Sequence, residues 1–398
     1  MAKKIKGFCN DCGMQSIYHI QTWLDELTDR FLQCLPSFKK LELFFGVLLE
    51  KFFTFFKLAS LRNDFTPSDI QLKSTCFINE ARKRGVKFKA LYGPFGYTNH
   101  FRAEIGGKIF RFESLPIADF ASQQKVQLVD DKEWTKRRLK KGNFPVADGR
   151  GFWFWQKNRA VKFGVELGFP LVVKPRSGSV SRHVTTNIQN IDEFKRAINK
   201  AIIYSPAFIV EKFIPDTFVY RATVVDFDFV ACVKQVAANV TGDGVSTIKR
   251  LIDKKNNDSR RGEPHQKEFT LYRIVENETL KKTLREKAYN FSTVPQKGEI
   301  VYLQKDPFLK LGGDLIEVTP QVHPDNTQLF REIAKFFDIR LVGIDFLAQN
   351  ISDSWKNQRC AVLELNSAPC IELHHFPSSG TPQNVAGAVV NLFLKYYL

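Results

Sequence analysis

Two short apolar segments near the C-terminus contain carboxylate and amide side chains. Residues 341–347 and 360–365 are rich in β-branched and other apolar residues and are bounded by polar turns, which predicts two buried strands. Asp345 lies in the first segment, Glu364 lies in the second, and Asn366 follows it. Ionised groups are rarely buried without a partner. The fold must therefore bring a partner to these acids.

The spacing of these side chains indicates a shared cation. Residues two apart on a strand point to the same face, so Glu364 and Asn366 can approach one metal ion together. Oxygen ligands favour a hard cation such as Mg²⁺, which commonly bridges to the phosphates of a nucleotide. We predict that Asp345, Glu364 and Asn366 are metal ligands. In the alternative, Asp345 caps a turn and Glu364 pairs with a surface lysine.

A lysine follows an apolar segment in the middle of the chain. Residues 170–173 are predicted to form a strand, Lys174 follows it, and a loop of small residues spans 177–181. Loop amides can point at phosphate oxygens while the ammonium neutralises their charge. The lysine precedes the loop, so this is not the GxxxxGK[ST] phosphate loop. An ordinary connection from strand to turn is the alternative.

The next predicted strand, residues 207–210, ends in a short sequence typical of a nucleotide hinge. The residues Glu211, Lys212, Phe213 and Ile214 follow it, and the backbone groups of such a hinge can bind the edge of an adenine. Farther upstream, Asp131 and Lys132 are predicted to open a helix.

The order of these motifs resembles the ATP-grasp superfamily. Within it, the segments VTGDGVSTIKRLID, GEIVYLQKDPFLKLGGDLIEVT, GIDF and ELNSAPCIELHHFPSSGTPQNVA resemble the ATP-grasp module of cyanophycin synthetase, and the likeness covers roughly residues 130–398. Complete cyanophycin enzymes have a second, Mur-ligase-like module, and no such module follows Leu398 in this sequence. We therefore expect one coupling reaction and no alternating polymerisation.

The resemblance implies an α/β fold of the α+β type, in which two α+β lobes grip ATP. The expected ATP-grasp domain spans 130–398, with the smaller ATP lobe in 130–215 and the larger lobe, which contains the metal site, in 216–398. A small α/β domain over 63–129 and a helical, apolar segment over 1–62 precede it.

The resemblance also implies roles for individual residues. Lys174, Arg221 and Lys234 are expected to supply positive charge for catalysis, although Arg221 and Lys234 fit surface-facing strand positions equally well. The metal would be one or two Mg²⁺ ions, with Mn²⁺ as a substitute. The expected ATP-binding residues are Lys132, Lys174, Ser177, Gly178, Ser179, Ser181, Glu211, Lys212, Phe213, Ile214 and Asp216.

The implied activity is an ATP-dependent carboxylate-amine ligase. A carboxylate attacks the γ-phosphate, and lysines and metal offset the repulsion between the two anions. An amine then attacks the acyl phosphate and gives an amide. The acid is expected to be an amino acid, a peptide or another small acid. An ATP-binding regulatory or scaffold protein is the alternative, because Ser181, His183, Gln235 and Cys370 depart from the pattern of the related enzymes.

Charge and cysteine content constrain the partners and the compartment. The formal net charge of +17 favours polyanions, but no nucleic-acid-binding motif accompanies it, so no specific nucleic acid is expected. Seven scattered cysteines indicate a reducing, cytoplasmic location. Cys9 and Cys12 form a CxxC pair near His19, which predicts free thiols more strongly than a zinc site. Related ligases imply a homo-oligomer.

Two features precede the predicted ATP-grasp domain. The phenylalanine-rich segment 36–61 contains Lys51 and Lys57; it favours a core or dimer-interface helix over peripheral contact with a membrane. Residues 68–84 are predicted to form a capped amphipathic helix, and 87–92 and 101–112 are predicted to form strands, the latter with a turn at Gly106 and Gly107.

Overall fold

The computed structural model describes residues 9, 17–32, 39–116, 128–177 and 182–397. The chain folds into two compact units. The first contains Met1–Phe38, Gln127–Thr217 and Arg359–Leu365, and the second contains Lys39–Val126, Phe218–Gln358 and Asn366–Leu398. Helices and largely antiparallel sheets occur together in both units, which confirms the predicted α+β class.

A four-stranded antiparallel sheet forms the centre of the first unit. Its strands lie in the order Gly149–Trp153, Ala207–Lys212, Leu171–Pro175 and Thr185–Ile188. The predicted strands at 170–173 and 207–210 are confirmed, and each continues two residues farther. The helices Lys157–Leu167 and Ile191–Tyr204 pack on this sheet.

Close packing in this core depends on one glycine. A Cβ atom on Gly164 would lie 2.3 Å from the ring of Phe194, which is fully buried. Any side chain at this position would have to displace the ring, and a displaced core side chain costs packing energy. Gly164 therefore lets the helix Lys157–Leu167 approach the helix that contains Phe194.

Two further helices belong to the first unit. Lys132–Lys141 begins as predicted, because the Asp131 carboxylate accepts hydrogen bonds from the backbone N–H groups of Glu133 and Trp134 at 2.9 and 3.1 Å. Ile17–Leu32 packs against the helix Ile191–Tyr204, and Trp23 donates its indole N–H to the carbonyl of Ile202 at 3.1 Å.

An antiparallel meander forms one part of the second unit. Its strands are Ser60–Arg62, Lys87–Gly93, Gly96–Ile105 and Lys108–Glu113, in that order. The strand predicted over 101–112 begins five residues earlier, and its turn at Gly106 and Gly107 is confirmed. The first strand precedes residue 63, where the sequence places a domain boundary. The predicted domain boundaries stay a prediction.

The helix predicted over 68–84 is shorter than expected. It spans Leu72–Arg82, because the Asp69 carboxylate accepts hydrogen bonds from the backbone N–H and the hydroxyl of Thr66 and holds a turn ahead of the helix. The helix packs on the final helix, Val385–Tyr397, where the rings of Phe77 and Phe393 meet edge to face.

A second antiparallel sheet in the second unit holds one of the two acidic segments. Four of its five strands lie wholly in this unit, in the order Asp314–Glu317, Phe229–Val236, Phe218–Val225 and Leu341–Ala348. The last of these confirms the strand predicted over 341–347, and the helix Pro324–Phe337 packs on the sheet. The strand predicted over 360–365 is also confirmed, as Cys360–Asn366. Its residues up to Leu365 belong to the first unit, and Asn366 belongs to the second.

Short elements complete the second unit around a separate small core. Ala238, Ile248, Leu280 and Leu303 are among its buried residues. Further elements of this unit are the helices Ile248–Asn256 and Glu278–Glu286 and the strands Asn239–Thr241, Arg261–Gly262, Leu271–Tyr272 and Ile300–Tyr302.

The phenylalanine-rich segment forms the helix Lys39–Phe55, and the end of this helix is exposed. Phe52 is 50% exposed and Phe55 is 81% exposed, so these two side chains are not packed in a core, contrary to one of the two expectations for this segment. Glu50 accepts a hydrogen bond from Arg111 at 2.8 Å and ties the helix to the meander. Among the residues that the structure describes, no helix combines the length and the apolar character needed to cross a membrane.

Candidate active site

The first unit contains a buried cluster of two lysines around one glutamate. Glu211 lies opposite Val172 in the sheet, so Lys174, two residues farther along, projects to the same face. The Nζ atom of Lys174 is 2.7 Å from Glu211 Oε1, and Lys136 contacts the other carboxylate oxygen. Only 3% of Glu211 is exposed. Two cations around one anion leave a net positive charge.

The charges of the cluster determine how its groups titrate. Burial disfavours the ionised form of Glu211, but attraction to Lys174 and Lys136 outweighs burial and lowers the pKa of Glu211 to about 2. Burial also lowers the pKa of Lys136, and the nearby charge of Lys174 adds to this, although Glu211 opposes it. An anionic ligand would relieve the excess positive charge.

Replacing Glu211 with glutamine should lower the free energy of unfolding by roughly 3–5 kcal/mol at neutral pH, because it leaves two buried ammonium groups without their anion. Urea unfolding of the full chain measures this change. The exposed Glu278, changed to glutamine, serves as the control. An unchanged urea midpoint in Glu211→Gln would contradict the assigned pairing.

The pH dependence of stability in wild type and Glu211→Gln gives a second test of the pairing. A carboxyl whose pKa is lowered on folding stabilises the protein above its unfolded pKa of about 4.3, and it loses that contribution as the pH falls towards the folded value. The folded pKa of Glu211 is about 2. The stability difference between wild type and Glu211→Gln should therefore narrow steadily between roughly pH 5 and pH 2.

Lys132 and Glu364 also lie together in the first unit. The Nζ atom of Lys132, the first residue of its helix, is 3.4 Å from Glu364 Oε2. Only 14% of the Lys132 side chain and 25% of the Glu364 side chain are exposed, so the partner of Glu364 is not a surface lysine. The backbone N–H of Val362 donates to the Pro145 carbonyl at 2.8 Å and fixes this strand within the unit.

The predicted hinge is held firmly against the neighbouring strand. The Lys212 ammonium donates to the carbonyls of Gly168 and Phe169, both at 2.9 Å, and the Phe213 N–H donates to the Pro170 carbonyl at 3.1 Å. The Ile214 carbonyl accepts the hydroxyl of Thr217 at 2.9 Å. The ammonium of Lys212 thus orders the hinge backbone.

The remaining residues that are predicted to bind the nucleotide differ in their exposure to solvent. Asp216, predicted to bind the ribose, is 75% exposed in its side chain and lies 3.1 Å from Arg359 Nη2. Ser177 follows the strand Leu171–Pro175 by two residues and is partly buried. Gly178, Ser179 and Ser181 lie outside the described residues.

In the second unit, Arg221 and Asp345 face each other across two paired strands. They are direct partners in the register of Phe218–Val225 and Leu341–Ala348. Arg221 donates from Nε and Nη2 to the two carboxylate oxygens, the latter at 2.8 Å. Only 11% of the Arg221 side chain is exposed, so this residue is not a surface cation. The bidentate pair fixes the Asp345 carboxylate in one orientation.

Lys234 belongs to the same sheet and is held by an aromatic ring. Its Nζ atom lies 3.3 Å from the centroid of Phe218, within the range of a cation–π interaction. Burial lowers the pKa of Lys234. This residue is therefore a partly desolvated cation.

The oxygen atoms of the three predicted metal ligands suit a hard cation. An ionised carboxylate has about four lone-pair sites, and each of its oxygens can accept from more than one partner; Arg221 donates to both oxygens of Asp345. Asn366 Nδ2 is buried without a hydrogen-bond partner among the described residues. Rotation of this amide exchanges its nitrogen and oxygen, and the oxygen can then face a cation. Two carboxylates and an amide oxygen fit Mg²⁺.

Sequence reasoning missed some buried polar groups. Lys136 could have been found, since it lies four residues after Lys132 and so on the same helix face. No sequence signal indicates a second buried polar group, which consists of His374, Thr223 and Glu317. His374 Nε2 lies 2.9 Å from the hydroxyl oxygen of Thr223, and His374 Nδ1 lies 3.3 Å from Glu317 Oε2. Its members come from separate elements of the second unit, and burial lowers the pKa of His374.

Comparison with known proteins gives relatives of two kinds. The chain is 33% identical to cyanophycin synthetase from Trichormus variabilis over 321 residues, which are 79% of this chain and 34% of that protein. It is 26% identical to the glutathione biosynthesis bifunctional protein GshAB from Listeria welshimeri over 333 residues, or 82% of this chain and 41% of that protein. The chain thus spans only about a third of the cyanophycin synthetase that it matches.

A solved structure shows the same fold. A bifunctional glutathione synthetase from Pasteurella multocida matches 82% of this chain and 44% of its own, with a TM-score of 0.63 and 22% sequence identity. No family model matches the chain. The resemblance predicted from the motifs is confirmed: the chain has the ATP-grasp fold and is similar in sequence to cyanophycin synthetase.

Proposed function

We propose that the protein is a Mg²⁺- and ATP-dependent carboxylate-amine ligase. The observation that carries this proposal is the buried cluster of Lys136, Lys174 and Glu211, whose net positive charge suits a polyphosphate. The similarity to proteins named cyanophycin synthetase and glutathione biosynthesis protein supports amide formation from amino acids or peptides.

In this proposal, one set of residues binds ATP. Lys132 and Lys174 contact the phosphates, and the ordered backbone of the hinge binds the adenine. Asp216 reaches the ribose after it separates from Arg359; both side chains are exposed, so separating them costs little. The full set is Lys132, Lys174, Ser177, Gly178, Ser179, Ser181, Glu211, Lys212, Phe213, Ile214 and Asp216.

Asp345, Glu364 and Asn366 would hold the divalent ion, with Mg²⁺ favoured over Mn²⁺. Once bound, such an ion neutralises charge on the phosphate oxygens. Arg221 acts as a positioning residue, since its two donors hold the Asp345 carboxylate in place. Lys234 contributes positive charge in the second unit.

The chemistry follows from charge neutralisation by these groups. A substrate carboxylate attacks the γ-phosphate of ATP, and the lysines offset the repulsion between the two anions. The reaction gives an acyl phosphate and ADP. An amine then attacks the acyl carbon, and an amide forms as phosphate leaves. No covalent nucleophile of the protein takes part.

Several further assignments belong to the same proposal. The acid is an amino acid, a peptide or another small carboxylic acid, and the amine is an amino acid or a peptide. We place the protein in the cytoplasm, where free thiols such as those of Cys76 and Cys232 stay reduced. We also propose that the protein forms a homo-oligomer and that its ATP-grasp domain divides into lobes over 130–215 and 216–398.

A substrate panel tests this function. The full chain is incubated with ATP, Mg²⁺ and pairwise combinations of amino acids and short peptides, and phosphate and ADP are measured. A ligase should release phosphate only with a particular acid and amine. ATP-induced thermal stabilisation without substrate-dependent phosphate release would instead identify an ATP-binding regulatory protein.

A further inference from the structure

The first unit contains three potential metal ligands that the proposed ligase reaction does not use. They are Cys9, His19 and His183, and their ligand atoms all lie within 4.8 Å of one another. His19 is 6% exposed and His183 is 2% exposed. Sequence alone places only His19 near the CxxC pair, because His183 comes from a distant segment. Cys12 lies outside the described residues.

One distance in this cluster matches tetrahedral coordination. Zn–S and Zn–N bonds of about 2.3 and 2.0–2.1 Å at a tetrahedral angle place sulfur and nitrogen roughly 3.5 Å apart. Cys9 Sγ is 3.5 Å from His183 Nε2. A hydrogen bond between Cys9 and His183 would also explain this distance. Such a bond does not need a third ligand atom nearby, whereas a metal site accounts for the buried His19 as well.

The orientation of His183 favours a ligand role. Its Nδ1 atom is 2.8 Å from the carbonyl of Lys200. A carbonyl oxygen can only accept, so Nδ1 carries the proton and Nε2 directs its lone pair towards Cys9. A backbone carbonyl bonded to the far ring nitrogen is the usual support of a metal-bound histidine. The rings of His19 and Tyr204 pack against His183 at 5.1 and 5.2 Å and hold its plane.

We propose that Cys9, His19 and His183 bind a zinc ion. Sulfur and imidazole ligands favour zinc over the hard cation assigned to the carboxylates, and solvent can complete the tetrahedron. The ion would join residue 9 and the helix Ile17–Leu32 to the chain directly after the predicted phosphate loop at 177–181. At Cys9 this proposal differs from the sequence prediction, which favours a free thiol over a zinc site.

Metal analysis tests the proposal without reference to ligase activity. The tag-free full chain, purified with zinc in the medium and dialysed against a weak chelator, should retain about one zinc ion per chain by mass spectrometry. Replacement of the zinc with Co²⁺ should give tetrahedral d–d absorption and a thiolate-to-cobalt charge-transfer band. Cys9→Ser should abolish the charge-transfer band, and His183→Gln should remove at least nine-tenths of the retained metal.

Matched controls separate ligand loss from general damage. His100→Gln changes an exposed histidine and Cys360→Ser changes another half-buried thiol, and both variants should retain zinc and the cobalt spectrum. Circular dichroism confirms that each variant is folded. A wild-type protein without zinc and without the cobalt bands would overturn the proposal, as would folded Cys9→Ser and His183→Gln variants with full zinc content.

Discussion

Replacing Glu364 with glutamine should lower kcat by about 10²–10³-fold while the protein stays folded. The substitution keeps the shape of the side chain and an oxygen that can accept from Lys132, 3.4 Å away. It removes the negative charge that a divalent cation needs. Because the side chain is partly accessible, a neutral amide at this position should cost little stability.

Steady-state kinetics over a range of Mg²⁺ concentrations measures this effect. The variant should need more Mg²⁺ for half-maximal rate, and saturating metal should restore only part of kcat. Glu263→Gln, which changes an exposed acid paired with Arg273, should behave as wild type. Wild-type turnover in Glu364→Gln at low Mg²⁺ would remove Glu364 from the proposed mechanism.

The second large effect concerns Lys174. Its replacement by methionine should raise the Kd for ATP by roughly 10- to 100-fold, because hydrogen bonds to charged groups contribute about 1.5–3 kcal/mol. The apolar body of the side chain is retained, so packing within the strand Leu171–Pro175 changes little. Isothermal titration with ATP and Mg²⁺ measures the affinity directly.

Lys136→Met provides a matched control, since Lys136 and Lys174 pair with the same carboxylate of Glu211. Each variant removes one cation from Glu211, so both should lose stability. Lys174→Met should lose more ATP affinity than Lys136→Met, because only Lys174 is assigned to direct contact with the phosphates, whereas Lys136 contributes through the net charge of the cluster. Equal ATP affinity in the two variants would contradict the assigned contact between Lys174 and the phosphates.

Local patterns in the sequence predicted many of the elements that position the site. The strand Leu341–Ala348 and the helix start at Asp131 follow from apolar runs and from a capping side chain, and both are local properties. The predicted helix start at residue 68 was wrong by four residues, because the hydrogen bond between Asp69 and Thr66 favours a turn that periodicity does not reveal.

Partners distant in sequence were not predictable in the same way. The pairing of Arg221 with Asp345 depends on strand register, and register is set by the whole sheet. The approach of His183 to Cys9 likewise depends on tertiary packing. Residue types were therefore identified from the sequence, whereas the partner of each charge required the structure.

Isotope transfer tests the central claim, acyl-phosphate formation, most directly. A carboxylic acid that stimulates phosphate release in the substrate panel is prepared with ¹⁸O in its carboxylate, and the products are analysed by mass spectrometry. The account predicts inorganic phosphate that carries one ¹⁸O atom, together with ADP and the amide. Unlabelled phosphate, or ¹⁸O in AMP, would contradict it.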